Sequence, residues 1–123
     1  MLIRLREGQV SALGEAARQK FAREVEAYLH REYPHAVKEF TPEDLHEEIL
    51  IAIECGETYG LARRLDVRTF TAMYFFAGPD FHLHPPIHAV LTDPSIAPAD
   101  RMDVLLETVP RKDWPDAGHT RGT

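Results

Sequence analysis

Proline placement is the strongest constraint on what this chain can fold into. Nine prolines fall along 123 residues, and each locks its own φ, removes a backbone donor and pushes the preceding residue out of helical geometry. Pro34, after Tyr33, therefore closes whatever precedes it, Gly78-Pro79 interrupts the middle of the chain, and Pro110 closes the last periodic stretch. The first turn of a helix does accept proline, because the missing N–H would have no partner there. Pro42 and Pro98 stand at that position ahead of apolar stripes, so they open helices rather than end them.

Between these punctuation marks the apolar residues recur at helical spacing. Val10, Leu13, Ala17, Phe21, Val25 and Tyr28 follow one another in steps of three and four, the signature of one helical face. Ser11 is the candidate cap of this first helix. Thr41-Pro42-Glu43-Asp44 sets a hydroxyl cap, a first-turn proline and two carboxylates at the positive end of a helix dipole. The helix it opens buries Leu45, Ile49, Ala52 and Ile53, and Gly60 stops it. From Asp66 to Ala77 the residues Val67, Phe70, Ala72, Met73, Tyr74, Phe75 and Phe76 are apolar almost all round, as in a helix enclosed by others. Its start is expected near Asp66, since Arg63 and Arg64 oppose the dipole. The stretch from Gly78 to Pro86 is rich in His and Pro without helical period and reads as an ordered loop. Ile87 to Leu91 forms a short helix, and the segment opened by Pro98 carries the stripe Met102, Leu105, Leu106 and Val109. No strand alternation and no repeat is present. The expected fold is all-α: a single compact bundle of four to five helices over residues 1–110, a His/Pro-rich loop, and a loose tail over residues 111–123 in which Trp114 is the one large apolar residue.

Charge narrows the function classes. With 14 Lys+Arg against 20 Asp+Glu the net charge is -6, which disfavours binding to nucleic acid or to an anionic membrane surface. The apolar runs Ile49 to Ile53 and Ala72 to Ala77 are far shorter than the roughly 20 residues of a membrane span. Met1 to Glu7 lack the features of a signal peptide, and the single Cys55 has no partner for a disulfide, so a cytoplasmic protein with a buried thiol is expected. The acidity is local. Residues 41–60 hold six carboxylates and neither Lys nor Arg, and Ile51 falls by helical angle among Glu47, Glu54 and Glu57. A large apolar side chain within an acidic face suits a basic protein partner. Glu47, Ile51, Glu54 and Glu57, with Asp80 and Phe81 of the loop, are the candidate partner-binding residues. A homodimer is another use for surplus apolar surface.

Few residues are arranged for chemistry. His82-Leu83-His84 followed by His88 could present imidazoles to a metal, with Asp80 as a carboxylate ligand, and a metal-dependent hydrolase is the enzymatic alternative. Pro85-Pro86 interrupts that set, its spacing follows no standard site, and these histidines are secondary candidates. Glu43-x-x-His46 has the spacing used in di-iron bundles, but its second copy, Glu32-x-x-His35, contains Pro34 and straddles a helix end. Cys55 and His46 are nine residues apart on different turns of an acidic helix, a poor setting for a reactive thiol. Arg63 and Arg64 are the pair of cations placed to recognise an anion, though such pairs are commonly solvated turns. No nucleophile elbow, phosphate loop or Cys-x-x-Cys occurs. The residues predict a protein that is not an enzyme and has no cofactor or metal.

The order of motifs resembles a family of small helical bacterial proteins associated with genes for type VI secretion spike proteins and their toxic effectors. The motifs are a first helix ending at Tyr33-Pro34, then Tyr59-Gly60-Leu61, Asp66-Val67 and Phe76-Ala77-Gly78-Pro79-Asp80-Phe81, followed by Ala89-Val90-Leu91-Thr92-Asp93-Pro94 and Ala97-Pro98-Ala99-Asp100-Arg101-Met102. The likeness covers roughly residues 2–108. It implies an accessory protein, an adaptor or chaperone whose partner is a secreted effector or spike component, or alternatively an immunity protein that neutralises a cognate toxin. It brings no catalytic residues. It also implies acidic residues after Gly-Pro-Asp-Phe, where this chain has His82 and His84, and a hydroxyl and an acid where it has Arg63 and Arg64.

Overall fold

The computed structural model describes residues 14–109. They form α1 (Glu15–Glu32), α2 (Pro34–Val37), α3 (Pro42–Thr58), α4 (Arg64–Ala77), a single 3-10 turn (Phe81–Leu83), α5 (Pro85–Leu91), a second 3-10 turn (Pro98–Asp100) and α6 (Arg101–Thr108). The fold is all-α, with no strand among the described residues. Ser11, Pro110, Trp114 and the expected tail lie outside the described residues.

Local signals account for most of the helix ends. The described start of α1 has Gly14 in extended geometry with no side-chain cap. At the other end the Tyr33 amide donates to Leu29 O at 2.8 Å before Pro34 begins the one-turn α2. Thr41 caps α3, its Oγ1 accepting from the Asp44 amide at 3.1 Å. The far end of α3 closes through Gly60 at φ 84°, with its amide on Glu57 O at 2.9 Å and the Leu61 amide on Gly56 O at 3.4 Å. That pair of reversed bonds requires a left-handed residue, which glycine supplies without steric cost.

α4 begins two residues ahead of Asp66, with Arg63 as the residue before its first turn. The cations do not displace its start because Asp66 answers them. Asp66 is 3% exposed in the first turn and accepts from Arg63 Nε at 2.9 Å, so the dipole meets a carboxylate and the carboxylate meets a guanidinium. Arg63 also donates to Ala99 O, tying α4 to the second 3-10 turn.

Two expectations past Gly78 are corrected. The His/Pro stretch is not a loop throughout: Phe81–Leu83 makes a 3-10 turn, and Pro85 and Pro86 are the first two residues of α5. Both prolines sit in the first turn, where neither needs to donate. Leu106, assigned to the buried stripe of α6, is half exposed, whereas Met102, Leu105 and Val109 are buried.

The core runs along α4, which packs against α1, α2, α3, α6 and the first 3-10 turn. Phe70, Thr71, Met73, Val67 and Ala72 of α4 meet Phe21, Val25 and Leu29 of α1 and Leu45, Ile49 and Ile53 of α3, all buried. Each such large apolar side chain stabilises the fold by about 1.5–3 kcal/mol relative to an exposed one. α5 and α6 close one end, and Arg101 joins them to the rest. Its guanidinium donates to Tyr59 O at 2.9 Å, Asp93 O at 3.0 Å and Ile96 O at 3.1 Å, satisfying carbonyls from the end of α3 and from the turn after α5.

Candidate functional site: the acidic face of α3 and the Cys55–His82 cluster

Six carboxylates lie on α3, and the fold divides them into two groups. Glu57 is bound by Arg18 of α1, through Nη1–Oε2 at 3.0 Å and Nη2–Oε1 at 2.6 Å, a two-point pair that lifts the Arg18 pKa further. Glu48 accepts from the Tyr74 hydroxyl at 2.9 Å; burial, then that bond, hold the phenol protonated far above its usual range. Glu43, Asp44, Glu47 and Glu54 remain exposed. The expected contact residue Glu57 is thus committed to α1, while Glu47 and Glu54 are open to solvent.

Ile51 is 50% exposed between these acids. It borders a shallow groove of about 180 Å³ between α1 and α3, with Leu50 and Glu54 on one side and Glu15, Arg18 and Gln19 on the other. Two cross-links hold the helices around this groove: Arg18–Glu57, and His46 Nε2 on Gln19 Oε1 at 2.6 Å. His46 is therefore engaged between helices and meets neither a second Glu-x-x-His nor Cys55.

The loop candidates separate. Asp80 is exposed, but Phe81 is 1% exposed, and its ring lies 4.9 Å from that of Phe70. A side chain so deep in the core cannot meet a partner without unfolding the turn. Phe81 is corrected from a contact residue to a core residue that anchors the 3-10 turn.

The histidines do not gather. Among the described residues no three His, Cys, Asp or Glu side chains converge to hold an ion. His82 turns inward, its Nδ1 2.6 Å from the Tyr59 hydroxyl and its Nε2 3.4 Å from Cys55 Sγ. His88 Nδ1 donates to His82 O at 3.2 Å. His84 precedes α5, and its carbonyl accepts from the Ile87 and His88 amides. Cys55 and Tyr59 stand one turn apart on α3 and face the 3-10 turn together.

Burial raises the Cys55 pKa, and burial outweighs the opposing pull of Asp80 to lower that of His82. At neutral pH the thiol keeps its proton and the imidazole is uncharged. A neutral thiol is a weak nucleophile; the contacts satisfy both ring nitrogens of His82, and Phe70 and Phe81 pack beside it. The sequence reading missed this cluster because it paired Cys55 with His46. The available signal was the i, i+4 spacing of Cys55 and Tyr59 on one helix face.

Fold and surface together define a small all-α protein in which the charges that α3 exposes are carboxylates alone while α1 exposes charges of both signs. No protein-family model, curated protein or solved structure matches the chain. No described helix is long and apolar enough to cross a membrane.

Proposed function

We propose that this protein is a non-enzymatic binding module that docks a basic surface of a protein partner onto the α1/α3 groove, with Ile51 as the apolar anchor and Glu47 and Glu54 as the charged rim. The observation that carries this reading is Ile51 itself. It is half exposed on a helix whose buried stripe is complete without it, so folding does not explain its presence among carboxylates. Covering the exposed half contributes about 1 kcal/mol, and the acids add orientation and a faster association that weakens with salt. The resemblance in motif order supports an adaptor or chaperone role toward a type VI secretion effector or spike component. In that role the groove would hold a basic delivery segment.

The test is calorimetric titration of the purified protein with effectors and spike proteins encoded by type VI gene clusters. Ile51→Asp, and separately Glu47→Lys with Glu54→Lys, are each expected to weaken binding about tenfold or more, about 1.4 kcal/mol, without changing the circular dichroism spectrum. Unchanged affinity in both variants would refute the assignment of this face.

A further inference from the structure

We infer that the groove between α1 and α4 receives an acidic peptide segment of a partner protein, one with carboxylates flanking a large apolar side chain. This surface is separate from the α3 face and opposite in charge, and the inference does not depend on the role proposed for α3.

The groove has a volume of about 280 Å³. Phe21 and Tyr28 of α1 form its aromatic floor, and Leu65 of α4, 60% exposed, stands at its edge. Arg31, Arg64 and Arg68 surround that apolar surface, with Glu24 as the one carboxylate in the lining. All three guanidiniums are held over rings: Arg68 Cζ lies 4.2 Å and Arg31 Cζ 5.7 Å from the centroid of Tyr28, and Arg64 Cζ lies 5.8 Å from that of Phe21.

A ring beneath a guanidinium satisfies its face and leaves the N–H groups in its plane without acceptors. Arg68 Nε is buried and has no hydrogen-bond partner among the described residues. The acceptors nearby are weakly held. Arg64 Nη1 is 4.0 Å from Glu24 Oε1, and Arg31 Nε is 3.1 Å from Glu32 Oε2, both pairs well exposed. Exposed pairs of this kind are worth little and yield readily to a better acceptor. Three guanidiniums thus line the groove against one loosely held carboxylate, Glu24, and arginine forks match carboxylates in two-point geometry.

The apolar part of the groove selects a peptide over a bare anion. Leu65 and the flank of Tyr28 offer contact that a phosphate or an isolated carboxylate cannot use, while a leucine or an aromatic side chain between acids can. Nucleic acid is a poor occupant, because the net charge of -6 repels a polyanion beyond the reach of three arginines. With an acidic face on α3 and this basic groove on α1 and α4, one molecule carries two docking surfaces of opposite sign, the arrangement a bridging adaptor needs.

The experiment is selection of a random dodecapeptide display library on the full-length protein, followed by fluorescence anisotropy of the selected peptides. Enriched sequences are expected to carry Asp or Glu around a large apolar residue. Their affinity should fall about tenfold or more with Arg64→Glu, fall again with amide replacement of the peptide carboxylates, and survive Glu47→Lys with Glu54→Lys. Arg64 is exposed enough for substitution without unfolding, and Arg31→Glu provides a second readout at the same groove. Enrichment of neutral or basic peptides, no enrichment, or acidic peptides indifferent to both arginine substitutions would overturn the inference. So would sedimentation showing self-association that Arg64→Glu abolishes, since the groove would then belong to a second copy of this chain.

Discussion

Gly56 tests how tightly the aromatic centre is packed. It lies in the last turns of α3, is buried, and has an ordinary helical φ, so by local preference alone alanine is the better residue by about 1 kcal/mol. The tertiary structure reverses that sign. A Cβ at Gly56 would stand 3.1 Å from Cδ1, 3.3 Å from Cγ and 3.6 Å from Cε1 of Phe70. Phe70 has no room to yield, being fully buried with the rings of Phe81, His82 and Tyr59 at 4.9, 6.0 and 6.0 Å. Overpacking of this kind costs about 1–3 kcal/mol. The net effect of Gly56→Ala is then a loss of about 1 kcal/mol, or about 4 °C in melting temperature for a domain of this size. Urea denaturation of wild type, Gly56→Ala, Phe70→Leu and the double variant separates the two effects. Leucine lacks the ring and leaves space for the new methyl, so the double variant is expected to be more stable than the sum of the singles by about 1 kcal/mol. If Gly56→Ala alone stabilises the protein by its full helical gain, or if the two changes simply add, the contact does not constrain the core and the reasoning fails.

Two further outcomes follow from single side chains. Arg101→Met keeps the length of the side chain but removes the donors to Tyr59 O, Asp93 O and Ile96 O; a loss of about 2–3 kcal/mol is expected, with Arg101→Lys recovering only part of it because one ammonium cannot serve three directions, as thermal melts would measure. His82 has a folded-state pKa below the ordinary value near 6.5, caused first by burial, so the unfolded chain takes up its proton at higher pH than the native one does. Its contribution is complete above about pH 6.5 and is lost as the pH falls through that value toward the lower native pKa. Asp80 limits the effect and His88 adds to it. Denaturation midpoints between pH 5 and 8 should therefore drop on acidification, and His82→Gln should flatten that part of the profile; an identical slope in the variant would assign the dependence elsewhere.

The sequence features that proved readable act within one turn of backbone. Thr41-Pro42 opens α3, Gly60 closes it, and Pro34 and Pro98 delimit their segments, because caps, missing donors and left-handed residues need no distant partner. The buried stripe Leu45, Ile49, Ala52 and Ile53 was likewise set by periodicity. Errors arose where a short range of residues allowed two local answers. Pro85-Pro86 could break the chain or begin α5, and Leu106 could lie on either side of a short helix. The surface candidates split for a different reason: Glu47 and Glu54 are exposed, whereas Arg18 captured Glu57 and Phe70 drew in Phe81.

What the order of residues determined by itself is the helical character of the chain, its breakpoints and the acidity of α3, since each rests on interactions among neighbours in sequence. The assembly of helices decided the rest. It brought His82 to Cys55 and Tyr59, carried Arg101 across to three carbonyls, and set Arg31 of α1 beside Arg64 and Arg68 of α4. Those contacts join positions that periodicity cannot relate. Only close packing of rigid helices, with every large side chain competing for the same interior, fixes which of them meet.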